Sequence, residues 1–282
     1  MGRVKVNKTY KLFIGGKFPR TESGRYLELR DAKGELLANI CQASRKDFRE
    51  AVVVARKAQE SWAGNSAYLK GQILYRLAEI MESRSTSFVE VLMQEGKTKA
   101  AAQKELEQCI DLLVYYAGWS DKYQQLFSSV NPVASSHFNF SVLEPMGVVC
   151  ATSASLKEAC TLVAISTIGG NSIILTADLT SAMSAITLAE AIQVSDFPGG
   201  VINILTGDHA ELIPQMSLHM DVNAIVLAED NPEAQKAAAE NVKRFIVWDR
   251  KEERSPYLIS QLQEVKTTWH PIEQISGSGS GY

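Results

Sequence analysis

The sequence predicts an α/β fold, a parallel sheet with flanking helices, and three observations carry that prediction. After Pro132, short β-branched segments alternate with helical stretches of roughly a dozen residues, the crossover length that parallel neighbours need. Before Pro132, apolar residues recur at three- and four-residue steps, the period of helices with one buried face. Of the 282 residues, 45% are hydrophobic and 22% charged, which excludes a disordered chain, a collagen and a disulfide scaffold. A chain of this length buries roughly 70–75% of its unfolded surface and needs no staples.

Residues 11–18 are predicted as a strand running into the Gly15–Gly16 turn. Residues 25–30 alternate polar and apolar, a turn follows at 31–35, and 36–41 complete a hairpin. Ser44, with Asp47 three residues on, has the pattern of a capped helix start, and Phe48, Ala51, Val52, Ala55, Ala58 and Trp62 mark its buried face. Further helices are predicted over 66–84 and 88–94, and as one long element over 99–127; core packing accounts for their apolar stripes. Residues 137–143 read as a strand. Then 147–151, 172–175, 201–205 and 223–227 are the strands of the βαβ run, and no solenoid-length repeat interrupts it. Residues 249–254 form a solvated charge run, 263–270 alternate as a late strand outside that run, and 277–281 alternate Gly and Ser like a linker.

Charge and special residues narrow the function. Net charge is −3, without the basic footprint of a nucleic-acid binder. Cys41, Cys109, Cys150 and Cys160 lie far apart, which predicts free thiols in a reducing, cytoplasmic compartment. His137, His209, His219 and His270 form no ligand cluster, so no metal site is expected. The basic start is followed by no apolar run, which argues against a signal peptide. The most apolar stretch, 160–175, is broken by Ser166, Thr167, Gly169, Gly170, Asn171 and Ser172 and is too short to span a membrane. The expectation is a soluble cytoplasmic protein with no membrane or nucleic-acid partner.

Several segments then occur together in one order: Phe13-Ile14-Gly15-Gly16-Lys17, the helix ending at Trp62, Ala117-Gly118-Trp119, Glu144-Pro145-Met146-Gly147, Gly169-Gly170-Asn171, Phe197-Pro198-Gly199-Gly200, Leu205-Thr206-Gly207 and Lys266-Thr267-Thr268-Trp269-His270-Pro271. With them the sequence resembles the NAD(P)-dependent aldehyde dehydrogenases over about residues 10–272. The resemblance implies a Rossmann-like N-terminal and cofactor-type domain at 1–262 and an oligomerisation strand at 263–272 with 134–143 as its pairing partner. It leaves a flexible Gly/Ser tail at 273–282.

The departures are as informative. The family uses a cysteine nucleophile downstream of its cofactor motifs; here no Cys follows Cys160. The family's general base lies in an E-L-G-G segment, yet no Gly occurs between Gly207 and Gly277, and that region reads Phe245-Ile246-Val247-Trp248-Asp249. The stretch after Asp230 is shorter than the roughly 100 residues a catalytic domain needs, so the resemblance implies that this domain is missing. The family's P-W-N-F-P, whose Asn stabilises an oxyanion, is here Thr152-Ser153-Ala154-Ser155-Leu156. Its K-P-S-E, whose Lys holds the ribose, is Thr176-Ala177-Asp178-Leu179, and its F-T-G-S is Leu227-Ala228-Glu229-Asp230. Glu229 and Asp230 suit a helix start as caps but repel a phosphate: like charges about 4 Å apart oppose each other by roughly 4 kcal/mol at an effective dielectric of 20.

Thr152, Ser153, Thr176, Asp178, Glu229 and Asp230 therefore stand as degenerate cofactor positions, and no catalytic, cofactor-binding or metal residue is expected. Gly169–Gly170 reads as a tight turn, Lys157 and Glu158 as an exposed pair at a helix start, Trp62 and Trp119 as packing anchors, and Asp208–His209 as incidental. These readings converge on a non-catalytic protein that associates with itself as a homodimer, or with a full-length aldehyde dehydrogenase, through pairing of Val265, Thr267 and Trp269. One alternative is NAD(P)-linked oxidation of aldehyde to carboxylic acid with the catalytic half supplied in trans, NAD or NADP being bound only if residual affinity survives. Another is a small-ligand site in the former nucleotide crevice, where Asp178, Glu229 and Asp230 favour a cationic or hydroxyl-rich ligand.

Overall fold

The computed structural model describes residues 6–31, 33–251 and 254–272. Residue 32 of the predicted turn, residues 252–253 of the charge run and the Gly/Ser tail lie outside the described residues. The chain opens with a small sheet of β1 (Lys8–Tyr10), β2 (Tyr26–Arg30) and β3 (Leu36–Cys41), in the order β1-β3-β2. Residues 11–18 do not form the predicted strand. Leu12, Phe13 and Ile14 are buried, but Gly15 and Gly16 take positive φ (62° and 76°); Phe13 exchanges two 2.8 Å backbone bonds with Ile204 of the main sheet, and Gly15 N donates to the Asn203 side chain. Two consecutive left-handed residues turn the chain before a ladder can extend.

Helices follow: α1 (Arg45–Ala63), α2 (Ala67–Ser83), α3 (Ser85–Gln94), α4 (Lys99–Ala117) and α5 (Tyr123–Phe127). The capping box at Ser44 and Asp47 forms as the spacing predicts, with Ser44 Oγ accepting from the Asp47 N–H and the Asp47 carboxylate from the Ser44 N–H. The single long helix predicted over 99–127 is instead two. Gly118 caps α4, and Ser120 folds back, buried, over Gly71 of α2, where any Cβ would collide with it. That close approach requires the chain to leave the helix axis.

A three-stranded antiparallel sheet in the order β11-β5-β4 comes from β4 (Ser129–Asn131), β5 (His137–Pro145) and the late strand β11 (Gln263–Pro271). Between β5 and β11 runs the parallel core: β6 (Val148–Ser153), α6 (Leu156–Ile168), β7 (Ser172–Ala177), α7 (Ala182–Ile192), β8 (Ile202–Thr206), α8 (His209–Leu218), β9 (Ala224–Leu227), α9 (Pro232–Ala239), β10 (Arg244–Val247) and α10 (Pro256–Gln261). All four neighbour pairs in the order β10-β9-β6-β7-β8 are parallel. β6, β7 and β8 are buried on both faces, which is why they read as continuous apolar runs. No helix among the described residues is long and apolar enough to cross a membrane.

Asn171, fully buried, joins the two sheets. Its Oδ1 accepts from Gly147 N and its Nδ2 donates to Leu262 O, both at 2.9 Å, so the strand that opens the parallel core and the segment that enters β11 share one side chain. The Gly169–Gly170 turn lies just before it: Gly170, at φ 88°, ends α6 in the left-handed conformation. This turn feeds the amino-terminal end of β7, away from the carboxyl-terminal strand ends, and its geometry is that of a helix stop.

Candidate functional site

The strand order reverses between β6 and β9, because the chain leaves β6 towards β7 and β8 and then returns to the other side of β6. Open α/β sheets bind ligands in the crevice at the carboxyl ends of the strands flanking such a switch. A cavity of about 420 Å³ lies there. Thr152 and Ser153, at the end of β6, form its floor, Asp178 follows β7, and Glu229 and Asp230 follow β9. His209 and Arg250 complete the wall. Five of the six positions singled out from sequence thus converge. The sixth, Thr176, lies beneath, fully buried, with Oγ1 donating to Ala151 O and its own carbonyl meeting His209 Nε2 at 3.1 Å.

Most polar groups around this crevice are already engaged with the protein. Asp178 Oδ1 accepts from the N–H and hydroxyl of Thr180 and of Ser181, at 2.7 to 3.2 Å, and so fixes the loop that leads to α7. Asp208 caps α8 through Ala210 N at 2.8 Å, which turns His209 towards Thr176. Glu229 and Asp230 do not cap α9: Asn231 does, its Oδ1 accepting from Ala234 N at 2.9 Å, while the two carboxylates stay exposed. Pro232 sets the first helical φ and makes Asn231, rather than Asp230, the boundary residue.

The start of α6 departs most from the sequence expectation. Glu158 is buried, not exposed; its Oε2 accepts from Ala154 N at 2.8 Å and its Oε1 pairs with Arg250 Nε at 3.1 Å. Ser155 Oγ accepts from Glu158 N, and Glu105, also buried, accepts from Lys157 N at 3.4 Å while pairing with Lys97. Three side chains therefore occupy the first amides of α6. The Ser155-x-x-Glu158 spacing, a helix-start signature, was the sequence signal for this arrangement.

The four cysteines are free and buried. Burial, aided by the neighbouring Cys160 thiol, pushes Cys109 up, and burial alone pushes Cys150 far up, so both are protonated at neutral pH. A protonated thiol is not the attacking species. Trp62 is buried and donates Nε1 to Thr167 O at 2.9 Å, and Trp119 packs on the same core. Among the described residues no group of three His, Cys, Asp or Glu side chains could hold a metal ion. A larger depression, about 830 Å³, is walled mainly by α2 and α4 and takes no residue from the strand ends.

Comparison with known proteins adds the family. The profile of the aldehyde dehydrogenase family matches residues 19–247. A putative aldehyde dehydrogenase, DhaS, of Bacillus subtilis (strain 168) is 30% identical over 247 residues, which cover 84% of this chain and 49% of that protein. The cytosolic aldehyde dehydrogenase 1 of Elephantulus edwardii is 31% identical over 257 residues, 86% of this chain and 50% of that one. An NAD+ complex of aldehyde dehydrogenase from Bacillus cereus superposes with a TM-score of 0.78 at 23% identity, covering 84% of this chain and 50% of that chain. A salicylaldehyde dehydrogenase from Pseudomonas putida G7, complexed with salicylaldehyde, gives 0.79 at 18% identity over 86% and 51%. The chain spans about half the length of the curated relatives it matches.

Proposed function

The chain belongs to the aldehyde dehydrogenase family, and from that premise we propose that it is a non-catalytic member that acts by association, with itself or with a full-length aldehyde dehydrogenase. One observation carries the reading: the Glu158 and Glu105 carboxylates hold the Ala154 and Lys157 amides at the start of α6. A dinucleotide's phosphates bind where helix-start N–H groups are free. Here a phosphate would have to displace buried carboxylates of its own sign. Asp178, Glu229 and Asp230 line the adjoining crevice together with Arg250, which also pairs with Glu158, and add three further carboxylates. The residues present do not fit NAD or NADP.

Association supplies the positive half of the proposal. β11 is the outer strand of its sheet, and Val265 and Trp269 are exposed on it. An outer strand with open backbone groups is a template for another chain. A reducing cytoplasm suits four free, buried cysteines.

The competing reading, NAD(P)-linked aldehyde oxidation completed in trans, makes the opposite forecast for one titration. A thermal unfolding series with millimolar NAD+ or NADP+ is expected to leave Tm unchanged. A cofactor bound at a hundred times its Kd would stabilise by about 2.7 kcal/mol, and a shift of that order would overturn the proposal. Mixing with a full-length aldehyde dehydrogenase, followed by light scattering, tests the associative half.

A further inference from the structure

We propose that the outer edge of β11 pairs with β11 of a second copy of this chain, antiparallel, with Thr267 opposite Thr267 on a two-fold axis. The inference rests on the associative reading above and names its occupant.

The direction of the backbone along β11 follows from its ends. Ile272 N donates to Ser136 O at 2.9 Å, which continues the β5–β11 register in which Gln263 faces Pro145 and Pro271 faces His137. In an antiparallel pair, residues that exchange hydrogen bonds alternate with residues that do not. Even-numbered residues of β11 therefore bond to β5, and the odd-numbered ones turn their N–H and C=O outward. Leu143 provides an independent check: it faces Val265 across the pair, yet its N–H and C=O both go to the Gln124 side chain, at 3.3 and 2.7 Å. Val265, Thr267 and Trp269 thus present three outward N–H and three outward C=O groups. Among the described residues, no strand pairs with them.

These groups are self-complementary. A two-fold pairing that matches outward residue with outward residue and is centred on the middle one sets Val265 against Trp269 of the second copy and Thr267 against its twin. Pro271, which has no N–H to give, falls opposite Gln263 and ends the ladder where the strand itself ends. The intervening side chains agree with this register, since Glu264 comes opposite His270 and Lys266 opposite Thr268. No like charges meet. The exposed Val265 and Trp269 become a cross-strand apolar pair, repeated on both sides of the axis. The two three-stranded sheets then make one six-stranded sheet in the order β4-β5-β11-β11-β5-β4.

Thr267→Pro tests the pairing with least harm to the fold. It removes an outward N–H, the position where an edge strand tolerates proline, and leaves the backbone bonds to β5 in place, losing there only the contact between Thr267 Oγ1 and Ser141 Oγ. The wild-type chain is expected to be a dimer by light scattering, and Thr267→Pro a monomer with an unchanged circular dichroism spectrum. A second pair of variants reads the register without touching the backbone. His270→Glu sets like charges opposite Glu264 twice per dimer and should weaken the dimer about tenfold; adding Glu264→Lys should restore it. A dimer that survives Thr267→Pro, or that ignores His270→Glu, would overturn the inference. So would a wild-type monomer. If that monomer still bound a full-length aldehyde dehydrogenase, the associative function would stand without the homodimer; if it bound neither, both would fall.

Discussion

The crevice at the strand ends and the outer edge of β11 are both polar and both reach solvent, but they treat backbone hydrogen-bonding groups in opposite ways. Beside the crevice the first amides of α6 are held by Glu158, Ser155 and Glu105, and within it Asp178 is held by Thr180 and Ser181. Along β11, Val265, Thr267 and Trp269 turn their N–H and C=O away from β5, and no strand among the described residues pairs with them there. A region whose donors are saturated internally stabilises the fold and has little left to give a ligand. A region whose donors stay open is either a liability or an interface. On the proposed associative reading, the edge and not the crevice carries this chain's work.

Substitutions separate the crevice from the edge. Asn171→Ala would leave Gly147 N and Leu262 O buried without partners. It should cost about 3 kcal/mol by denaturant unfolding and loosen β11 from the core, so the crevice and the edge should fail together. A loss under about 1 kcal/mol would show that the two regions are not joined there.

Glu95 is the carboxylate with too few donors. Burial pushes it up to about 7, opposed by hydrogen bonds from Ser184 and Met183 and reinforced by the nearby Glu105 charge. Because its folded value exceeds the unfolded 4.5, the stability it contributes is fully present below that range and is lost as pH rises through about 7. The decline should be on the order of 3 kcal/mol, and Glu95→Gln should flatten it. An equally steep pH profile in the variant would assign the slope to another group.

Glu158→Ala should cost roughly 2 kcal/mol, as expected for a hydrogen-bonded charge, without altering the mass in solution. A change in mass would mean that the crevice contributes to association after all. Thr267→Val removes only the 2.9 Å contact between Thr267 Oγ1 and Ser141 Oγ. It should cost under about 1 kcal/mol and leave the dimer intact, since the backbone is the proposed contact; a monomeric Thr267→Val would transfer that role to the side chain.

Much of the fold was legible because the signals are local. β-branched runs separated by helical spacing imply a parallel sheet, and the Ser44–Asp47 pair marks its helix start without any tertiary information. The position of the crevice was legible only through the family resemblance, and the strand order was not read from the sequence. The break after Gly118 depends on Ser120 meeting Gly71, residues far apart in sequence. Glu158 was misread for the same reason: a charged residue at a helix start is usually solvated, and Arg250, its partner, lies more than ninety positions away. Asn231 followed by Pro232 is a local helix-start pattern that identifies α9, and it outweighs the more conspicuous Glu229 and Asp230. The direction in which the β11 backbone points was not legible at all, because it depends on pairing parity with β5.

Amide hydrogen exchange, resolved by residue and followed across protein concentration with and without NAD+, reads the edge and the crevice in one experiment. The amides of Val265, Thr267 and Trp269 should exchange freely in dilute solution and become protected as concentration rises, while Ala154 and Lys157 stay protected throughout and do not respond to NAD+. Edge amides that exchange freely at every concentration, together with added protection around α6 when NAD+ is present, would contradict the associative reading.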